Sequence, residues 1–415
     1  MASALLWLAL AVPALATPTA SNTGTGQNAI SRISLGPRPY WLIDHLEDGP
    51  LKSKLASCTE KHMRRSDFSI GHRGGGILEF PEETRESIMA GTRMGAGIQE
   101  CDVTFTKDKQ LVCRHDQCDL HTTTNVVTIP ELNAKCTAPF KPASNGAKAT
   151  AKCCTSDFTL AEIKTLCSKM DGSNTAALTP ADYIKGTPVF RTDLYSTTTC
   201  SAVLTLKEYI KLVDGLGLKF TPELKTPVVP MPFPAGSDYT QAKYAQQMID
   251  EFKAAGIKPE RVFIQSFLYD DLLYWLKAEP KFAKQAIFLD ESADTTPLSA
   301  SVANLTKYAA GGVKIMGPPL PYLVTVKDGQ IVPSEYAVEA KRLGLKIITW
   351  SLDRSGFLGD GSHGGYYYGS IANVTNHESD VYKLLHVLAQ DVGVQGVFSD
   401  WSATVTYYAN CFGIF

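Results

Sequence analysis

The chain has 415 residues, of which 44% are hydrophobic and 20% charged, enough to bury a sizeable core in one large domain or two smaller ones. Its 40 basic and 42 acidic residues leave a formal charge of −2. No long basic run is present to follow a nucleic-acid backbone, so nucleic acid is excluded as an expected partner.

In chain order, Ala4 to Ala16 is apolar and ends in Ala14-Leu15-Ala16, a small-x-small site suited to signal peptidase. Residues 1–16 are therefore read as a signal peptide and the mature protein as secreted. That span is too short for a permanent bilayer helix, and no later apolar run is long enough, so no transmembrane segment is expected. Residues 17–66 read as an N-terminal linker and packing segment. Thr17 to Gly26 is rich in Thr, Ser and Gly, whereas Tyr40 to Lys61 carries aromatic and apolar groups that should pack on the body. Ten cysteines behind such a leader point to an oxidising compartment, and none has zinc-ligand spacing, so disulfides are expected with their pairing open. Asn304-Leu305-Thr306 and Asn373-Val374-Thr375 are glycosylation sequons.

From residue 67 to 415 short β-rich runs alternate with segments of helical periodicity. The predicted strands are Phe68–His72, Ile98–Val103, Leu218–Leu224, Val262–Phe267, Ala286–Asp290, Val313–Met316, Lys346–Ser351 and Gly396–Asp400. Predicted helices between them include Glu82–Met94, Leu206–Leu216, Thr240–Ala255, Pro333–Leu343 and Glu378–Gln390. Eight such strands imply an α/β protein with a parallel sheet, and the count suits a (β/α)8 TIM barrel; a doubly wound open sheet is the alternative, though no Gly-rich dinucleotide fingerprint follows any strand. One further apolar run, Leu111–His115, follows Val103–Thr106 after only four residues. A parallel crossover needs about a dozen, so this connection must be an antiparallel hairpin above strand two. Residues 116–200 lack the alternation and hold six of the ten cysteines, which marks a cystine-rich insertion on the catalytic face.

The chemistry-bearing residues cluster at predicted strand ends. Gly71-His72-Arg73-Gly74 closes strand one with a proton carrier and a phosphate-binding fork beside glycines that admit a ligand. Pro81-Glu82-Glu83-Thr84 opens a helix, with Glu82 placed to orient Arg73. Glu100 and Asp102, two apart in a strand, project to one face, where a cation would relieve their repulsion. Glu223 and Lys225 close strand three, and His115-Asp116 returns on the hairpin. Three carboxylates without clustered histidines suit one divalent cation, Mg²⁺ or Ca²⁺, better than zinc. Two histidines, two cations and three carboxylates on one face match the needs of phosphodiester cleavage.

The sequence resembles the glycerophosphodiester phosphodiesterase family. The resemblance rests on His72-Arg73-Gly74, Pro81-Glu82-Glu83-Thr84, Gly95-Ala96, Glu100-Cys101-Asp102-Val103, Thr106-Lys107-Asp108, His115-Asp116, Val203-Leu204-Thr205-Leu206, Glu223-Leu224-Lys225, Ser266-Phe267, Thr349-Trp350 and Phe398-Ser399-Asp400, in the family's order. It implies a metal held by Glu100, Asp102 and Glu223, acid–base work by His72 and His115, and phosphate contacts from Arg73 and Lys225. Trp350 would pack against the substrate's glycerol. The implied reaction is hydrolysis of a small glycerophosphodiester to glycerol 3-phosphate and an alcohol, through a cyclic phosphate. The rival readings are phospholipase D-like cleavage of lysophospholipid or sphingomyelin, and an inactive secreted binding barrel. Two departures stand out: Glu83 and Asp353 occupy positions where the family usually or often has Asn.

Overall fold

The computed structural model describes residues 30, 32–196 and 200–415. The signal read at residues 1–16 and the Thr-rich stretch after it lie outside the described residues.

Eight parallel strands close into a barrel: Ser66–Gly71, Ala96–Phe105, Lys219–Leu224, Gln265–Ser266, Ile287–Leu289, Ile315–Gly317, Lys346–Leu352 and Gly396–Ser399. Closure is direct, because the first strand pairs in parallel with both the second and the eighth. The fourth strand is regular only over Gln265–Ser266; before it Val262 forms an isolated bridge with Phe220, and side chains bond the flanking carbonyls. The Thr221 hydroxyl donates to the Phe263 carbonyl (3.0 Å) and the Gln285 amide to the Val262 carbonyl (2.9 Å).

Helices follow the strands and bury one apolar face each against the barrel. Leu206–Gly215 buries Leu206, Tyr209, Ile210 and Val213; Gln241–Ala254 buries Tyr244, Met248, Ile249 and Phe252. Their starts are fixed by Thr205 and Thr240, whose side chains accept backbone N–H bonds as N-caps. The helix expected from Glu82 instead begins at Arg85, with Thr84 as the cap. Glu82 and Glu83 fall before it, and Glu83 takes a left-handed φ of 59° that directs the chain back over the barrel end.

The short run Leu111–Cys113 pairs antiparallel with strand two, Val103 opposite Cys113 and Phe105 opposite Leu111. The hairpin is thus present as expected, and the Cys101–Cys113 disulfide cross-links it. Beyond it, residues 116–200 build a subdomain with its own core, including Leu120, Val126, Val127, Phe158, Ile163 and Leu166. Three disulfides, Cys118–Cys154, Cys136–Cys153 and Cys167–Cys200, hold it. Before the barrel, helices Arg38–Asp44 and Pro50–Ala56 bury Leu42, Ile43 and Leu55 in the main core, and Cys58–Cys411 ties this segment to the last helix, Ser402–Phe412. Among the described residues no helix is long and apolar enough to cross a membrane.

Candidate active site

Alternation along the strands explains why a site forms at one barrel end. Ile70, Ile98, Ile287, Leu289, Ile315, Ile348 and Phe398 meet as an apolar plug inside the barrel. Moving two residues towards the C-terminal end of the same strands gives His72, Glu100, Trp350 and Asp400, and moving two more along strand two gives Asp102. The rows that fill the barrel therefore end in polar groups at its mouth. There they line a cavity of about 510 Å³, together with Arg73, His115, Glu223, Lys225 and Arg354. All eight site residues expected from the sequence border this one cavity.

Carboxylates crowd its floor. Asp102 stands opposite Glu223 in the pairing of strands two and three. Glu83, Glu100 and Asp102 offer oxygens that all lie within 4.8 Å of one another, so the residue at the family's Asn position joins the acidic cluster. Glu100 is tied on both oxygens, accepting from the Arg73 backbone N–H (2.8 Å) and the Gln265 amide (2.9 Å). Both Asp102 carboxylate oxygens are buried without a hydrogen-bond donor; the cationic groups nearest them are Arg73 Nε at 3.8 Å and Lys225 Nζ at 3.9 Å. Burial, and then the Asp102 charge, push the Glu83 and Glu100 carboxyls well above their ordinary range. An all-oxygen donor set with unanswered buried oxygens fits a hard divalent cation such as Mg²⁺ or Ca²⁺.

His72 sits just past strand one. Its Nδ1 is 2.5 Å from Asp400 Oδ1, and its Nε2 faces Glu100 at 3.9 Å. Asp400 is itself gripped on its other oxygen by Arg191 and Arg354, each at 3.1 Å. Although Asp400 is fully buried, Arg354 and His72 lead in holding its carboxyl well below the ordinary range. As an anion it can only accept, so His72 Nδ1 carries the proton and Nε2 keeps its lone pair. Burial brings His72 down to about 4 despite the opposing pull of Asp400.

Arg73 adopts a φ of 49° in the turn after strand one, and its Nη1 donates to Glu82 at 2.8 Å, so Glu82 does orient it. The helix Arg85–Arg93 packs so closely on this turn that a Cβ on its Gly91 would come within 2.1 Å of the Gly74 carbonyl oxygen. Lys225 Nζ lies 2.7 Å from Glu223 Oε1; burial works against its charge, but Glu223 and Asp102 outweigh it and raise its pKa. His115, half-buried on the hairpin's return, is held well below its ordinary range by burial and then by Arg73 and Lys225. Trp350 is fixed by its Nε1–H to the Gly317 carbonyl (2.8 Å) and meets Phe267 edge-to-face at 5.9 Å.

Several members of the site were not assigned roles from the sequence. Asp400 was visible only within Phe398-Ser399-Asp400, and its place two residues beyond the interior Phe398 was the available signal. Arg191 comes from inside the irregular insertion and carried no pattern at all; its side chain is only 2% exposed. Glu291, two residues beyond the interior Leu289, and Asp294 reach the cavity from a loop outside every motif. Tyr366 arrives on the loop at residues 359–370, which the sequence alone leaves open between a headgroup contact and a surface loop.

The model of the glycerophosphoryl diester phosphodiesterase family matches residues 72–404. An "extracellular protein" of Arthroderma benhamiae is 50% identical over 249 residues, covering 59% of this chain and 100% of that one. The Arabidopsis thaliana glycerophosphodiester phosphodiesterase GDPD6 is 24% identical over 377 residues, covering 86% and 90% of the two chains. A crystal structure from Silicibacter pomeroyi, of a protein assigned as a glycerophosphoryl diester phosphodiesterase, superposes with a TM-score of 0.55 at 17% identity. It covers 86% of this chain and 98% of that one, a likeness of fold.

Proposed function

Because this chain belongs to the glycerophosphoryl diester phosphodiesterase family, hydrolysis of glycerophosphodiesters is the activity its site must explain, and we propose that His72 and His115 carry out the proton transfers beside a divalent cation held by Glu100, Asp102 and Glu223. The observation that carries this reading is the His72–Asp400 contact. It commits Nδ1 as a donor and leaves Nε2 over the carboxylate floor as an acceptor for a proton.

In the proposed sequence Arg73 and Lys225 grip the phosphoryl oxygens, one as a planar fork and one as a point charge. A divalent cation, Ca²⁺ or Mg²⁺, held by Glu100, Asp102 and Glu223 would supply further neutralisation of the charge that develops on the phosphoryl oxygens. His72 Nε2 takes the proton of the substrate's own 2-hydroxyl, and that oxygen attacks phosphorus. His115, whose protonated form a bound phosphodiester anion would favour against burial and the neighbouring Arg73 and Lys225, protonates the departing alcohol as its P–O bond breaks. Water then opens the cyclic phosphate, with the two histidines exchanging roles, and glycerol 3-phosphate leaves. Trp350 and Phe267 give the glycerol carbons an apolar wall.

Secretion is part of the proposal, supported by five disulfides and by the relative named an extracellular protein. Phosphorus NMR during turnover of glycerophosphocholine tests the chemistry. A transient cyclic phosphate followed by glycerol 3-phosphate is the expected course. Cyclic phosphate as the final product would favour phospholipase D-like transfer, and near-wild-type rates for His72→Ala would overturn the assigned base.

A further inference from the structure

The cavity's buried floor holds Arg73 and Lys225 among the carboxylates of Glu100, Asp102 and Glu223, whereas its outer, solvent-exposed end carries the carboxylates of Glu291 and Asp294 beside Tyr366 and Tyr367. We propose that this outer end is a subsite for a leaving alcohol bearing a quaternary ammonium, a specificity that rests on the hydrolysis proposed above.

Three observations converge on a cation of that kind. The first is a continuous line of aromatic rings. Tyr367 stands 6.2 Å from Trp350 and 5.1 Å from Tyr366, with interplanar angles of 80° and 82°, so neighbouring rings meet edge to face along the cavity wall. Perpendicular rings make a corner in which a rounded, methylated cation meets more than one π-face.

The second is a fixed negative charge. Asp294 accepts from the Tyr366 hydroxyl on both oxygens, at 2.8 and 3.0 Å, and from the Tyr322 hydroxyl at 2.9 Å. Those bonds hold the carboxylate in place without neutralising it. Glu291 adds a second carboxylate from the same loop. The cavity's cations are committed elsewhere: Lys225 pairs with Glu223 at 2.7 Å and Arg354 with Asp400 at 3.1 Å.

The third is the order of charges. A phosphodiester anchored on the buried Arg73 and Lys225 has room for its leaving alcohol on the exposed side of the cavity, where these acids and rings stand. A quaternary ammonium donates no hydrogen bonds, so ring faces and nearby carboxylates are the groups that recognise it. An anionic headgroup would meet like charge at the same place. The loops responsible lie outside the catalytic motifs. One contains the turn Ser292–Asp294 after strand five; the other contains the short helix Gly365–Tyr368 after strand seven. Headgroup preference is therefore set by parts of the chain that do not carry the chemistry.

The test compares glycerophosphocholine with its neutral carbon isostere, the 3,3-dimethylbutyl ester of glycerol 3-phosphate. Both release glycerol 3-phosphate, so one readout serves. The wild type should favour the cationic ester by about tenfold in kcat/KM, the scale of contacts to two partly exposed rings with carboxylate support. Asp294→Asn and Tyr366→Leu should each bring that ratio towards one, with Tyr366→Phe intermediate because it keeps the ring and loses the hydroxyl. A wild-type ratio near one, or a tenfold ratio surviving in both variants, would overturn the subsite while leaving hydrolysis intact. Absence of turnover on both esters would instead overturn the hydrolysis, and the subsite with it.

Discussion

The barrel mouth and the cystine-rich insertion touch at Asp400, but they are stabilised in opposite ways. At the mouth, Glu83, Glu100, Asp102 and Glu223 are packed together and buried, with two Asp102 oxygens lacking any donor. Such a cluster costs stability and is supported by the rigid strands beneath it. The insertion has the reverse character. Its strands are short, its core is small, and three disulfides within about 85 residues constrain it. The lesson is a division of labour: the regular framework tolerates electrostatic strain where chemistry is needed, and the irregular part is stapled so that Arg191 arrives at a fixed place.

That contrast can be broken or sharpened by mutation. The largest expected effect belongs to the mouth. His72→Ala should lower kcat by about 10²–10⁴-fold while the melting temperature in chelator stays close to wild type. A fold that collapses with the activity would show that the mouth is structural as well. Next, the double variant Cys136→Ser, Cys153→Ser opens a 17-residue separation in the insertion and should cost about 3 kcal/mol of stability there. Hydrogen exchange should report loosening of residues 116–200 before the barrel strands; uniform loosening would deny the insertion its independence.

A smaller effect is expected where the regions meet. Arg191 donates to Asp400, which fixes His72, so Arg191→Gln should reduce kcat by roughly tenfold, the scale of one charged hydrogen bond. An Arg191→Lys variant that keeps the charge should recover part of it. Wild-type turnover in Arg191→Gln would mean that the insertion merely covers the site. The smallest effect is a gain: Glu83→Gln removes one carboxylate from the cluster while keeping an acceptor for the Asp102 backbone N–H. It should raise stability in chelator by about 1 kcal/mol and weaken cation binding measured by calorimetry. Lower stability would show that Glu83 is held there for packing.

The same contrast marks what the sequence could disclose. The eight strands and the hairpin were legible because period-two alternation and a four-residue connection leave few geometries. His72, Glu100, Asp102 and Glu223 were legible because they end those strands. The start of the first helix was displaced because Thr84 caps it, which left Glu82 and Glu83 outside the helix and in the site. Arg191 and Asp294 were not legible, since their placement depends on irregular backbone and, for Arg191, on a disulfide pairing that spacing alone does not determine, whereas Glu291 stands two residues beyond the interior Leu289, the same step that marks Asp400.

The most direct measurement is release of glycerol 3-phosphate from glycerophosphocholine by the purified chain, with chelator and with Ca²⁺ or Mg²⁺ restored. Release that chelator abolishes and one of these cations restores is the predicted result, with Asp102→Asn inactive under every condition. Full release in chelator, or an active Asp102→Asn, would contradict a cation-dependent site built on these carboxylates.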